Sequence, residues 1–134
     1  MPFLYHPFAV HFPIALLLTS AVFDVVFMVT RDRFYDRAAR FLIGLGLVGA
    51  FISIILGFAD FTGLVAADVG QAFVDAHRQH SLFAYGAVVA YLLGFALRWR
   101  RPNLSRTAVG ALLVVGAGLI VTATWLGSQI RKVM

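Results

Sequence analysis

The sequence contains no cysteine. That excludes disulfides, thiolate metal sites, iron–sulfur clusters and covalent haem attachment through a Cys-x-x-Cys-His motif. Any metal site must use histidine, carboxylate or methionine. Charge is scarce as well: Asp, Glu, Lys and Arg make up 13% of the 134 residues, and only 6 are acidic. Prolines number 4, and the three that fall before or within apolar runs (Pro2, Pro7 and Pro13) all lie in the N-terminal stretch.

What is plentiful is apolar surface. Hydrophobic residues are 61% of the chain and the mean hydropathy is +0.90. A soluble domain is nearer half apolar, so the excess predicts a membrane protein. The length allows a single membrane domain, residues 1–134, with about four spans of roughly 20 residues each. The formal charge of +5 does not point to nucleic acid, because the arginines sit in two short clusters between apolar runs. That pattern is a topological signal. Met1 to Tyr5 carries no Lys or Arg and no small-residue cleavage pattern follows, so the first apolar run is expected to be a retained span.

Hydropathy places the spans near 8–29, 38–61, 77–97 and 107–128. Pro7 and Pro13 fall at or before the first turns of helix 1, where a missing N–H matters little. Pro13 is expected to bend the entry. A charged loop, Arg31 to Arg37, precedes helix 2. Gly44, Gly46 and Gly49 spell G-x-G-x-x-G, but they lie inside an apolar span with no preceding strand, which excludes a dinucleotide site. Gly46, Ala50, Ser53 and Gly57 instead form one small-residue face for close helix packing, and Gly86, Ala90 and Gly94 form another. The segment Gly63–Ala76 reads as a short interfacial helix or an extension of the next span. A loop from Arg98 to Arg106, with Pro102 and Asn103 as turn residues, separates helices 3 and 4. Trp125 suits an interface anchor. Asp24 is expected to reach the interface or to pair with Arg31, Arg37 or Arg40.

Backbone groups in lipid must be satisfied internally, so the expected architecture is an all-α transmembrane four-helix bundle. Arg31, Arg33, Arg37 and Arg40 flank one short loop; Arg98, Arg100, Arg101 and Arg106 flank the other. Arg78, Arg131 and Lys132 lie on the opposite face. Eight against three puts both short loops in the cytoplasm and both termini on the outer side.

This alternation brings all four histidines to one end. His6 and His11 open helix 1, His77 and His80 open helix 3, and Asp60 closes helix 2. The convergence holds whichever side is cytoplasmic. His77 and His80 are three apart on one helical face. His11 lies about one turn into its helix, and His6, preceding Pro7, is expected to be extended and lid-like. An interfacial histidine can simply sit at headgroup level, but four on one face suggest a bound metal or metal cofactor. A b-type haem needs one or two axial histidines and apolar walls, for which Phe3, Phe8, Phe12, Phe58, Phe61, Phe73 and Phe83 are candidates. A bare Cu, Fe or Zn ion needs three or four ligands, which His11, His77, His80 and Asp60 could supply. The short loops leave no substrate cleft and no nucleophile–base pair is recognisable, so an enzyme acting alone is not expected.

The opening run His6-Pro7-Phe8-Ala9-Val10-His11-Phe12-Pro13-Ile14 resembles the start of a family of small bacterial four-helix membrane proteins, domain of unknown function 2231. The likeness extends to Gly57-Phe58-Ala59-Asp60 and to the histidine opening helix 3. The family carries no settled activity. The resemblance implies the bacterial inner membrane and, through relatives fused to or encoded beside Rieske and c-type cytochrome proteins, a redox setting. It thereby favours haem and electron transfer over a bare ion. The leading expectation is thus an electron-transfer protein with haem b held near the outer face, by His11 and either His77 or His80. Asp60 and His6 would be supporting groups. The alternatives are a non-haem metal-binding protein and an accessory subunit of a larger membrane complex.

Overall fold

The computed structural model describes residues 4–101, 103 and 106–134. Phe3, one of the wall candidates, and Pro102, the expected turn residue, lie outside the described residues. The protein is an all-α bundle with four helices long and apolar enough to cross a membrane. A short helix α1 (His6–Ala9) leads into α2 (His11–Thr30), followed by α3 (Arg33–Ala66), α4 (Gln71–Arg100) and α5 (Arg106–Ile130).

The break between α1 and α2 falls at Val10. Pro13 explains it: a residue at that position would normally donate to the Ala9 carbonyl, and proline has no N–H. His6 is helical, not extended as its place before Pro7 suggested. Its N–H donates to Asp60 Oδ2 at 2.8 Å, a charge-assisted bond that offsets the steric preference against helix before proline.

The helices outrun their hydropathic cores. Only Arg31 and Asp32 separate α2 from α3, where a seven-residue charged loop was expected from the sequence. Arg31 closes α2 in the left-handed region at φ 58°. Asp32 caps α3 by accepting the Phe34 N–H at 2.9 Å, and Asp36 in the first turn pairs with Arg40 at 3.0 Å. A cap, an acidic first turn and an i,i+4 pair together start a helix within that charged stretch. The doubtful segment Gly63–Ala76 is divided between α3 and α4. Its turn runs through Asp68 and Gly70, with Gly70 at φ 99°, where glycine carries no Cβ penalty.

Within each hairpin, α2 packs on α3 and α4 packs on α5. The hairpins then meet through α2 on α5 and α3 on α4. Helices α2 and α4 stand diagonally and touch only by long side chains. Tyr91 Oη donates across the bundle to the Leu17 carbonyl at 3.2 Å. Leu17, Ile43, Leu47, Tyr91, Leu113 and Ile120 form the core. Phe8, Val29, Phe41 and Ile55 point outward, at 83%, 79%, 70% and 68% exposure. Apolar exposure on that scale fits lipid, not water.

Small residues set the packing distance. A Cβ at Gly46 would come within 2.7 Å of Leu17, at Gly94 within 2.6 Å of Leu113, and at Gly116 within 2.9 Å of Tyr91. The small faces anticipated on helices 2 and 3 are therefore contact faces. In lipid there is no hydrophobic drive between helices, so this closeness supplies much of the association energy.

Asp24 departs from expectation. It pairs with Arg98 of α4 instead of with Arg31, Arg37 or Arg40, and both side chains are buried, at 12% and 4% exposure. Arg98 was assigned to a loop, yet α4 continues past it to Arg100. Burial explains both corrections. Asp24 faces the bundle interior, and a buried carboxylate requires a cation at its own depth. Arg98 is the arginine there, while Arg40 is engaged by Asp36 and lies 5.5 Å from the Trp99 ring centroid.

Candidate functional site

At the end of the bundle that carries both termini, the hairpins separate around a cavity of about 830 Å³. Leu4 and Met134 both line it, as do all four histidines, Asp60 and Arg131. Of the proposed aromatic walls, only Phe61 and Phe73 among the described residues face it. Phe8, Phe12, Phe58 and Phe83 turn outward and are exposed.

Three of the four imidazoles form a row. The ring centroids of His6 and His80 are 5.8 Å apart at 77°, and those of His80 and His77 are 6.4 Å apart. His77 stacks on Phe61 at 4.2 Å, and its Nδ1 lies 3.3 Å from Ser81 Oγ. His11, the ligand expected on helix 1, lines the same cavity but is exposed. Among the described residues no ring contact joins it to the other three. The structure thus places His6, not His11, beside His80. Asp60 tethers the start of α1 through the His6 N–H.

The two central rings are held alike. His6 Nδ1 is 2.6 Å from the Ser53 carbonyl oxygen, and His80 Nδ1 is 2.8 Å from that of Ala123. A carbonyl only accepts, so in both rings Nδ1 carries the proton. Each neutral ring then keeps a lone pair on Nε2. Each ring also lies against a glycine. A Cβ at Gly57 would come within 2.8 Å of His6 Nδ1, and one at Gly127 within 3.2 Å of His80 Nδ1. Sequence reasoning saw Gly57 as a packing residue, gave Gly127 no role and missed the two carbonyls, which no side-chain pattern announces.

Among the described residues, no three His, Asp or Glu side chains stand close enough to share one ion. Two anchored rings on separate helices, facing a mainly apolar cavity, match a planar cofactor with two axial positions.

An integral membrane bundle is the class defined so far. The chain matches, over residues 3–133, the family described as Predicted membrane protein (DUF2231), and it belongs to that family. No curated protein and no solved structure matches it.

Proposed function

We propose that this protein is an electron carrier of the bacterial inner membrane that would hold one b-type haem between α1 and α4 through His6 and His80. The observation that carries the reading is the matched pair of Nδ1–carbonyl bonds. Metal-bound histidines are ordinarily held in this way, by a partner on the second ring nitrogen that fixes the tautomer and aims the lone pair. Asp60 holds the His6 backbone in place. Arg131 supplies a cation for the carboxylates of the cofactor. The haem, when bound, supplies a one-electron centre. The arginine bias puts the site near the outer face, where a Rieske or c-type cytochrome protein is the expected redox partner.

One observation favours a second reading, a bare Cu, Fe or Zn ion. His77 continues the row of rings, and a modest rearrangement would give three imidazoles. His11 remains available to either group as a replacement ligand.

The deciding experiment is an absorption spectrum and metal analysis of protein purified from native membranes in mild detergent. A Soret band lost in His6→Ala and His80→Ala, with the bundle still folded, supports haem. His77→Ala should then be mild; if it is as severe as His80→Ala in a colourless, metal-containing protein, the ion reading replaces haem. A colourless and metal-free wild type leaves the accessory-subunit reading. Reporter fusions at Asn103 and after Met134 test the orientation: cytoplasmic and external signals are expected, respectively.

A further inference from the structure

Three of the contacts that join the two hairpins share one spacing. Leu17 meets Tyr91, and Asp24 meets Arg98, each across 74 residues of sequence. The His6 and His80 rings face each other at that same offset. Residues that touch their own counterparts mark a two-fold axis. The burial pattern repeats with it. Pro13, Leu17, Ser20 and Asp24 are the buried residues of α2, and their counterparts Ala87, Tyr91, Gly94 and Arg98 are all buried in α4. Between α3 and α5 the correspondence holds at an offset shorter by about one helical turn. Ile43, Gly46 and Ser53 match Leu113, Gly116 and Ala123, and all six are buried. Gly46 packs on Leu17 as Gly116 packs on Tyr91. Gly57 faces His6 as Gly127 faces His80.

We propose that the chain is a tandem of two equivalent two-helix units related by an approximate two-fold axis along the bundle, and that Gly57 and Gly127 are paired positioning residues that let His6 and His80 offer Nε2 to one group on that axis. The inference that this group is haem rests on the function proposed above; the positioning role does not.

The mechanism is local. In a helix the residue at i+4 has its Cβ tilted back over the carbonyl of residue i. Ser53 and Gly57 stand in that relation, and so do Ala123 and Gly127. A side chain at the second position would cover the carbonyl that the imidazole must reach. Glycine leaves it open, so the carbonyl accepts from its own helix and from the ring. The demand is stricter at Gly57, where a Cβ would lie 2.8 Å from the ring, than at Gly127, where it would lie 3.2 Å away. The units are not identical at the mouth. Asp60 ties down His6, and its counterpart Ile130 has no such group.

The test uses the full chain in detergent, titrated with haemin, beside nitrogen NMR of the histidine tautomers in the haem-free protein. Gly118→Ala is the control, since a Cβ there meets nothing within 4 Å. Wild type should bind one haemin per chain in a six-coordinate, low-spin form, with His6 and His80 both protonated at Nδ1 beforehand. Gly57→Ala should weaken binding about 10- to 100-fold, move the spectrum toward high spin and release the His6 tautomer alone. Gly127→Ala, the gentler change, should do the same to His80 to a smaller degree and keeps the test open if Gly57→Ala does not fold. If neither alanine changes tautomer or spectrum relative to Gly118→Ala, the positioning proposal is overturned. If the tautomers respond as expected but haemin does not bind, the positioning role stands and the haem reading falls.

Discussion

The two ends of this bundle solve the same problem in opposite ways. At the loop end the axis passes between Asp24 and Arg98, two charged side chains that pair with each other inside the protein. At the terminal end it passes between His6 and His80, two rings that each bond a backbone carbonyl through Nδ1. The loop end is closed by complementary charge. The terminal end is left open around the second ring nitrogens, for which the described residues show no hydrogen-bond partner. Equivalent positions thus hold a structural lock at one end and the proposed binding site at the other.

Breaking the lock should have the largest effect. Asp24→Ala leaves Arg98 buried without its carboxylate, which should cost about 3–5 kcal/mol. Thermal unfolding in detergent measures it. The exchange of charges, Asp24→Arg with Arg98→Asp, should recover part of the loss; no recovery would mean the pair is not the lock described. Next comes the packing between the ends. Gly46→Leu drives a side chain into Leu17 and should destabilise by about 1–3 kcal/mol or more. Ala50→Leu, on the same face, should behave alike. Tyr91→Phe removes the phenol's bond to the Leu17 carbonyl, which keeps the Ser20 hydroxyl as a donor, and should cost about 0.5–1.5 kcal/mol. The smallest effect on folding belongs to the open end. His80→Ala should leave the melting temperature nearly unchanged while removing ligand binding, since that ring serves a cavity and not the core. Ligand retention should also fall in acid, because a protonated imidazole has no lone pair to give; binding that persists unchanged once the rings are protonated would refute imidazole ligation.

The parts of this arrangement that depend on alternation were legible in the sequence. Four apolar runs with short joints force the first and third helices to start at one end, and so collect His6, His11, His77, His80 and Asp60 there. The small faces were legible because glycine and alanine recur at helical spacing. Ring-by-ring pairing was not. Depth along a helix was taken as the guide to the ligand, which favoured His11. Rotation about the helix axis matters as much as depth: it sets the His6 ring 5.8 Å from that of His80 and leaves His11 exposed. Asp24 was misassigned for a related reason. Sequence distance favoured the nearby arginines, whereas burial selects a partner at equal depth on another helix. The equal spacing of His6–His80 and Asp24–Arg98 would have revealed both pairs, but residue identities are so different between the two halves that the repeat shows only in contacts.

The Asp24–Arg98 pair also imposes a schedule on biosynthesis. Its members are separated by 74 residues. At translation rates of about 5–20 residues per second, Asp24 is made roughly 4–15 s before Arg98 exists. A carboxylate stranded in mid-bilayer for that interval costs about 2.5–3.5 kcal/mol on the insertion scale. Asp24 sits about 9 Å from the end of α2 at Thr30, close enough to wait at the headgroups.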